Sequence, residues 1–367
     1  MKNSLSITIG KIEGIEIKLN YSLLLAFALI TWSLASGFLP IEYPGHGPIF
    51  NWGIGAISAI ALFLSILAHE LSHSTVALRQ GIGIRSITLF FFGGVSQIEE
   101  STKSPSNELR MAIAGPLMSL LIGAVLYVLY YLLGGLLPAA IAALLQYVGL
   151  VNLLLGFFNL VPAFPMDGGR VLRSIFWNSR NDMISATRTA TKVSHLISYI
   201  FIGLGFISSF VNLISGIWLI FLGIFINRGA EAELEQSIAE KKLEGTKLRE
   251  LMNTNFKIIP SGTTIKTIRK DYLTNSSQNI YPVSKDNKIV GIITASEIEN
   301  AVNENLAVDN FMKELEDSQI ANPNEDASNT LMRMARNGLS SLIVFEDGKV
   351  VGLITSSDLN KIVDAGP

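Results

Sequence analysis

Two histidines and a glutamate lie close together in an otherwise apolar stretch of the sequence. His69, Glu70 and His73 form the pattern His-Glu-x-x-His, which on a helix directs both imidazoles from one face toward a shared metal ion. Glu70 could then take a proton from a metal-bound water, as in metal-assisted hydrolysis. A chance match is the alternative. It is weakened because the pattern uses two of only four histidines, and because ionisable side chains are costly to bury in apolar sequence.

The composition divides the chain into a membrane part and a soluble part. The 367 residues are 49% hydrophobic and only 16% charged, whereas about a quarter of a soluble domain is charged. Lys and Arg are absent from residues 19–78, 111–169 and 193–227, but the sequence after Arg228 is of ordinary soluble composition. The formal net charge of -2 provides no basic surface for nucleic acid. Because the chain has no cysteine, any metal ligands must be histidines and carboxylates.

Six apolar segments approach or exceed the roughly 20 residues that a bilayer requires. They lie at residues 19–39, 54–78, 109–133, 139–163, 193–211 and 213–227. The basic residues fall in the loops on one side, so the positive-inside rule predicts a multi-pass protein of the cell membrane with both termini cytoplasmic. The predicted fold class is therefore a polytopic α-helical membrane domain with six transmembrane helices, followed by a cytoplasmic α/β module.

Two β-rich runs flank Gly93-Gly94, between the second and third spans, and predict a membrane-associated β-hairpin. Non-helical backbone at membrane depth requires cover from protein or from a water-filled cavity. Two interpretations remain open: a surface hairpin at the interface, or an edge strand that pairs with an extended substrate.

A catalytic zinc ion needs a third protein ligand beside the two histidines and one open position. His46 lies in a loop on the opposite side, His195 begins the fifth span at the cytoplasmic interface, and the acids at positions 99 and 100 lie in a polar loop. Asp167 is the better candidate, because two prolines and a Gly pair unwind the end of the fourth span around it. An ordinary turn role for Asp167 is the alternative.

The soluble part contains an internal repeat in which residues 281–298 align without a gap with residues 342–359. Each unit has the pattern of a helix, a strand, a turn, a strand and a second helix. We predict a membrane domain at residues 1–228, a linker helix at 229–245, and two α/β halves at 246–305 and 306–367.

The motif AHELSH, together with FNLVPAFPMDGGR, resembles the site-2 protease family of intramembrane zinc metalloproteases. Members with a C-terminal pair of cystathionine-β-synthase (CBS) domains are the most similar in organisation. The resemblance implies a metalloendopeptidase that cleaves transmembrane segments of membrane-anchored proteins within the lipid bilayer, in regulated intramembrane proteolysis. It implies one Zn²⁺ per chain, bound by His69, His73 and Asp167, with Glu70 as general base. Asn159 would bind the substrate or stabilise the oxyanion.

The resemblance also assigns roles outside the metal ligands. Phe92, Gly93 and Gly94 would fall in the family's hairpin and contact the substrate. Many members have Gly-Pro-x-x-Asn in the third span, whereas Ser119 replaces that Asn here, so Ser119 is not included in the predicted site.

In the repeat, the family's nucleotide-binding pattern is Gly-x-x-Thr-x-x-Asp. The second half matches it fully, at Gly352, Thr355 and Asp358. The first half matches it partly, at Gly291 and Thr294. Glu297 replaces the expected Asp of the first half. The resemblance implies an adenine nucleotide (ATP, ADP or AMP) bound between the halves. A purely structural CBS pair is the alternative, since Gly and Thr also suit a simple turn, and the sequence leaves open a homodimer formed through the CBS module.

Two other functional classes compete with the protease. One is a CBS-regulated transporter or channel whose His, Glu and Asp side chains form an ion pathway. The spans show no obvious inverted repeat, which disfavours it. The other is an inactive protease-like scaffold, which the intact Glu70 disfavours.

Overall fold

The computed structural model describes residues 6–91, 93–98, 102, 104–274, 276, 278–286 and 288–364. The chain divides into two compact units, Met1–Glu235 and Gln236–Pro367. Each unit is built around its own buried residues.

The described part of the first unit contains the six predicted membrane-spanning helices. They are α1 (Ser22–Glu42), α2 (Pro48–Arg79), α3 (Pro105–Leu133), α4 (Ala139–Asn159), α6 (Met183–Ser209) and α7 (Leu213–Leu243). A π-helical turn at Leu34–Phe38 interrupts α1. Between α4 and α6 lies a shorter amphipathic helix, α5 (Asp167–Arg180), which the sequence analysis did not predict.

Local signals explain where several helices begin. The Ser104 hydroxyl accepts a hydrogen bond from Asn107 N–H at the start of α3, and the Asp182 carboxylate accepts one from Ile184 N–H at the start of α6. Helix α6 therefore begins well before the predicted start of the fifth span at residue 193. Helix α7 runs without a break through the predicted end of the sixth span and most of the predicted linker helix. Gly229 lies inside this helix and does not end it.

Four strands of the first unit form one sheet on the C-terminal half of α2. They are β1 (Ser6–Ile12), β2 (Ile15–Asn20), β3 (Ile84–Phe90) and β4 (Gly93–Ile98), in that order across the sheet. Strands β3 and β4 form the predicted hairpin, and β2 pairs with β3 in parallel. Ile15, Ile17 and Ile87 pack with Ala77 of α2 in one buried cluster, which fixes the sheet next to the His-Glu-x-x-His segment.

The second unit contains two similar halves, as the repeat predicts. The strands form two three-stranded sheets, β5 (Ile259–Pro260), β6 (Ile280–Lys285) and β7 (Lys288–Thr294), then β8 (Ile320–Ala321), β9 (Ser341–Glu346) and β10 (Lys349–Thr355). The helices are α8 (Leu248–Leu251), α9 (Ile265–Ile268), α10 (Ala295–Asn300), α11 (Ala327–Asn337) and α12 (Ser356–Asp364). Short π and 3-10 turns lie at Arg269–Leu273, Val308–Asn310 and Asp317–Gln319. Ile280 and Ile292 pack against Ile343 and Leu353 and join the two halves.

Candidate metal centre

Three side chains from two helices converge at one point inside the membrane unit. His69 and His73 of α2 place their Nε2 atoms 3.2 Å apart. The Asp167 Oδ2 atom, at the start of α5, lies 3.3 Å from His69 Nε2 and 3.2 Å from His73 Nε2. A tetrahedral zinc site with metal–ligand distances of about 2.0 Å has ligand–ligand separations of about 3.3 Å. The three atoms therefore have the spacing of one face of a zinc tetrahedron.

The hydrogen bonds behind the two imidazoles fix which nitrogen faces this point. His73 Nδ1 lies 2.7 Å from the Met111 carbonyl oxygen, which can only accept, so in the neutral imidazole Nδ1 carries the proton and Nε2 presents its lone pair. His69 Nδ1 lies 2.8 Å from the Ser119 hydroxyl, which can accept a hydrogen bond from that nitrogen in the same way. With both imidazoles neutral, two lone pairs and a carboxylate oxygen face one another with no donor between them. Such a group is repulsive alone and is completed by a cation, so the residues fit a bound Zn²⁺.

Space for the two rings depends on a missing side chain. A Cβ atom built on Gly115 of α3 would lie 2.1 Å from His73 Nε2 and 2.6 Å from His69 Nε2. Both distances are far below van der Waals contact, so any larger residue would occupy the metal position. Gly115 is thus needed for the metal centre itself, beyond close helix packing.

The turn before α5 holds Asp167 in place. A Cβ on Gly168 would lie 2.2 Å from the Val161 carbonyl oxygen, and one on Gly169 would lie 2.6 Å from Phe164 N. The Phe164 N–H donates to the Ser194 hydroxyl of α6 at 2.9 Å. The Gly pair therefore lets the chain fold back tightly enough to direct Asp167 toward the histidines.

Glu70 lies against the sheet. The Ser96 hydroxyl of β4 donates to Glu70 Oε2 at 3.0 Å, and the buried Ser74 hydroxyl lies 3.3 Å from Ser96 Oγ. A Cβ on Gly94 would lie 2.4 Å from Glu70 Cγ. The predicted hairpin is therefore next to the predicted general base, with Gly94 in contact and Gly93 beside it at a φ of 133°. Phe92 lies outside the described residues.

The other candidates from the sequence are not part of this cluster. Among the described residues, the group that could hold a metal ion consists of His69, His73 and Asp167. His46 is exposed and stacks on Phe50, and His195 makes an edge contact with Tyr199. The acids at 99 and 100 lie outside the described residues.

Asn159 is the last residue of α4 and is half-buried. Within the described ranges no hydrogen bond to its side chain is present, and none joins it to the three ligands. Its amide therefore has no hydrogen-bond partner among the described residues, and it lies eight residues before Asp167.

The candidate nucleotide residues cap two helices of the second unit. Thr355 donates from its N–H and hydroxyl to Asp358 Oδ2 at 3.1 and 2.6 Å, and Thr294 does the same to Glu297 Oε2. Glu297 Oε1 also pairs with Lys313 Nζ at 2.5 Å, so both of its oxygens are engaged.

The surroundings of Asp358 and Glu297 lower the pKa of both carboxyl groups. Burial raises the pKa of Asp358, but hydrogen bonds from Thr355 and the ammonium of Lys361 outweigh it and hold that pKa below its ordinary value. Burial likewise raises the pKa of Glu297, and the Lys313 ammonium and the Thr294 hydrogen bonds outweigh it. Gly291 and Gly352 face close neighbours, with built Cβ atoms 2.6 Å from Lys313 O and from Met252 Sδ.

Comparison with known proteins agrees with this geometry. A family model described as peptidase family M50 matches residues 57–137 and 134–206, and a CBS domain model matches residues 248–304 and 309–365. Zinc metalloprotease MJ0392 of Methanocaldococcus jannaschii is 31% identical over 354 residues, which cover 96% of this chain and 95% of that protein. The chain belongs to peptidase family M50. Rip3 of Mycobacterium tuberculosis is 32% identical to this M50 peptidase over 367 residues, covering 98% of the chain and 93% of Rip3.

The solved site-2 protease from Methanocaldococcus jannaschii is 35% identical to this M50 peptidase, with a TM-score of 0.42. The matched region covers 62% of this chain and 95% of the solved chain. The family models and the curated relatives identify this M50 peptidase as a zinc metalloprotease with tandem CBS domains, and its six long apolar helices make it a multi-pass membrane protein. The predicted family, enzyme class and fold class are confirmed, which removes the support for a transporter.

Several residues that shape the centre were not identified from the sequence. Ser119 is not among the predicted site residues because it departs from the family pattern, yet it is fully buried and contacts His69. Met111 contributes its carbonyl oxygen, and a backbone group cannot be identified from the residue type. Ser96 contacts Glu70 and Gly115 lies against the two histidines, and neither is among the predicted site residues.

Proposed function

We propose that this M50 peptidase cleaves the transmembrane segments of membrane-anchored proteins, in regulated intramembrane proteolysis, with His69, His73 and Asp167 as zinc ligands and Glu70 as general base. The observation that carries the proposal is the convergence of three acceptor atoms at 3.2–3.3 Å beside Glu70, on a helix that is apolar enough to span a bilayer.

Glu70 moves the proton in this mechanism. Zinc held by the three ligands would polarise the scissile carbonyl and lower the pKa of water. Glu70 accepts the proton of the attacking water and delivers it to the leaving amine. Ser96 keeps the Glu70 carboxylate in one orientation by donating to Oε2, which leaves Oε1 for the water.

Strand β4 is the proposed binding edge for an unwound substrate. It is the last strand in the sheet, and an extended peptide could pair with its outer edge through main-chain hydrogen bonds. Gly94 contacts Glu70, so a peptide laid along β4 would pass the catalytic carboxylate. Gly93 begins the same strand, and Phe92 remains a proposed substrate contact from the family resemblance. The Asn159 amide would donate to the carbonyl oxygen that gains charge, where preorganised donors are most effective.

The orientation and regulation are part of the same proposal. The positive-inside rule supports the proposal that both termini are cytoplasmic, so the CBS module would respond to a cytoplasmic adenine nucleotide, ATP, ADP or AMP. Gly291, Thr294, Gly352, Thr355 and Asp358 are the proposed nucleotide-contacting residues. The CBS module is also the proposed surface for a homodimer.

The test uses the full chain in lipid nanodiscs, with zinc measured per chain and with cleavage of a panel of single-span substrates. Replacing Glu70→Gln removes the base but no ligand, so we expect zinc to be retained and cleavage to fall by about 10²–10⁴-fold. Glu42→Gln, at the exposed end of α1, is the matched control and keeps full activity. Equal cleavage by the Glu70→Gln protein would refute the role of Glu70.

The ligand assignment has a separate test. Asp167→Asn keeps the size of the side chain and removes its charge, so we expect zinc affinity to fall by more than the roughly 100-fold that mutations behind the ligands can cause. Full zinc occupancy at unchanged affinity in this variant would exclude Asp167 as a ligand.

A further inference from the structure

One face of α7 packs on the turn that presents Asp167. Ile226 lies in a buried cluster with Ala163 and Met166. One turn on, a Cβ built on Gly229 would lie 2.7 Å from Pro165 Cδ, and the adjacent Ala230 packs in a second cluster with Phe164. These α7 positions follow helical spacing and together cover residues 163–166.

The next position on the same face, Glu233, contacts a buried arginine. Arg173 of α5 donates from Nη1 to Glu233 Oε1 at 2.7 Å, and from Nε to Glu108 Oε1 of α3 at 2.7 Å. A second guanidinium nitrogen, Nη2, also pairs with Glu108 Oε1. Arg173 is 6% exposed and Glu108 is 1% exposed, so the three charges are largely removed from solvent.

Arg173 is also in contact with the turn itself. Its guanidinium carbon lies 5.3 Å from the centroid of the Phe164 ring, within the range of a cation–π interaction. Phe164 is fully buried and lies three residues before Asp167. Arg173 thus holds the Asp167 turn both through its own helix and through the face of Phe164.

A second zinc ligand depends on the same arginine. Glu108 lies in the first turn of α3, and Met111 follows one turn later on that helix. The Met111 carbonyl oxygen accepts the hydrogen bond that orients His73. By anchoring Glu108, Arg173 therefore fixes the start of the helix that orients His73, as well as the helix that begins with Asp167.

We propose that Arg173 is a positioning residue for the zinc centre, and that Glu233 makes α7 part of the scaffold that sets the geometry of His73 and Asp167. Neither residue touches the metal. Their role is to hold two of the three ligands at the separation that zinc requires, so that weakening the contact between Arg173 and Glu233 loosens the metal without removing a ligand. The proposal rests on the assignment of His73 and Asp167 as ligands.

The first test replaces Glu233→Gln, which keeps the shape and removes the charge. We expect the zinc affinity, measured by competition with a chelator, to fall by about tenfold, the lower end of the effect of residues behind metal ligands. In the cobalt-substituted protein we expect weaker visible absorption, because the tetrahedral geometry is distorted. We expect kcat to fall while KM is unchanged. The matched control is Glu235→Gln, an exposed position on the same helix, which should match the unaltered protein.

A structural role alone would give a different result. If Glu233→Gln lowered the thermal stability but left zinc affinity and the cobalt spectrum equal to those of Glu235→Gln, the proposal would be overturned. These two readouts need no substrate, so the proposal can fail or succeed independently of the proposed protease activity.

A second variant keeps the test decisive if Glu233→Gln fails to fold. Gly229→Ala adds a methyl group that would press on Pro165 and changes no charge. We expect the same loss of zinc affinity. Gly203→Ala on α6, where a Cβ would meet nothing within 4 Å, is its control. Unchanged zinc affinity in Gly229→Ala would show that α7 does not act on the Asp167 turn.

Discussion

The membrane unit buries two polar clusters of three side chains that differ in what balances their charge. His69, His73 and Asp167 all direct acceptor atoms toward one point. In the second cluster, the guanidinium of Arg173 lies between the carboxylates of Glu108 and Glu233 and supplies the cation itself. Both clusters are largely hidden from solvent, yet only the first needs a partner from outside the chain.

The difference shows how a buried polar cluster can be interpreted. A cluster that contains its own donors satisfies its charges within the fold, and its removal chiefly affects stability. A cluster made only of acceptors is incomplete without an added cation, because buried lone pairs that face one another repel. By this criterion we interpret the first cluster as the proposed metal site and the second as scaffold. The predictions below test the distinction.

The largest effect is expected at Gly115, which provides space for the His69, His73 and Asp167 cluster and does not contact the Arg173 cluster. Gly115→Ala would place a methyl group 2.1 Å from His73 Nε2, so we expect zinc per chain to fall from about one to near zero and activity to be lost with it. The measurement is elemental analysis of the purified protein, with Gly203→Ala as control. A Gly115→Ala protein with full zinc would show that the rings can move aside.

The second prediction concerns the self-balanced cluster. Arg173→Ala leaves the buried Glu108 carboxylate without its cation and removes one cation from Glu233, so we expect the free energy of unfolding to fall by about 3–5 kcal/mol. Because most of this loss comes from the uncompensated carboxylate, it should persist in chelator-treated protein, and only the part that arises from weaker zinc binding should disappear. Chemical denaturation with and without chelator measures it, and Arg180→Ala at an exposed position of α5 is the control. A loss that disappeared on zinc removal would place Arg173 within the metal cluster.

A smaller loss of zinc affinity is expected at Ser119, whose hydroxyl contacts the His69 ring on the side away from the metal position. Ser119→Ala removes the hydroxyl that contacts His69 Nδ1 and helps to orient its ring, so we expect zinc affinity to fall by about tenfold. Competition with a chelator is the measurement. If affinity is unchanged while stability falls, Ser119 is a packing residue only.

The smallest effect is expected at Asp358 in the second unit, whose partner Lys361 is exposed to solvent. It provides a reference for the two buried clusters. The pKa of Asp358 is held below its ordinary value, so its hydrogen bonds stabilise the folded state above the unfolded pKa of about 3.9. This stabilisation is lost as the pH falls through the lower folded pKa. Asp358→Asn should therefore cost less than about 1 kcal/mol at neutral pH, and the difference from the unaltered protein should vanish in acid. A difference that grew with falling pH would reverse the sign of the assigned shift.

The proposed metal ligands could be identified as candidates from the sequence because their signals are local. The spacing of His69 and His73 places them on one helix face whatever the fold, and Asp167 is an acid at the broken end of an apolar span. Ser119 and Met111 could not be predicted in this way. Their contacts depend on how α3 is rotated against α2, and a backbone carbonyl group has no residue type.

Element boundaries were predictable where the sequence contains a breaker. Asn159 and the prolines after it end α4 close to the predicted limit. The sequence predicted a separate span and linker helix around residue 228, whereas α7 is one helix. Gly229 lies within this helix and packs against Pro165, a contact between residues more than sixty positions apart that the sequence does not reveal. Helix α5 was not predictable from an apolar face, because its buried face contains Arg173 and Ser174 whereas Ile175 is exposed.

The space at Gly115 also constrains how the gene can change. Every other amino acid carries at least one carbon where the metal would lie, so each missense mutation of this codon would inactivate the enzyme in one step. No amino-acid substitution at this position would therefore be neutral. In a duplicated copy of the gene, a substitution of Gly115 would mark the change from peptidase to pseudoenzyme. Replacement of this one codon would then mark a copy that no longer hydrolyses peptide bonds.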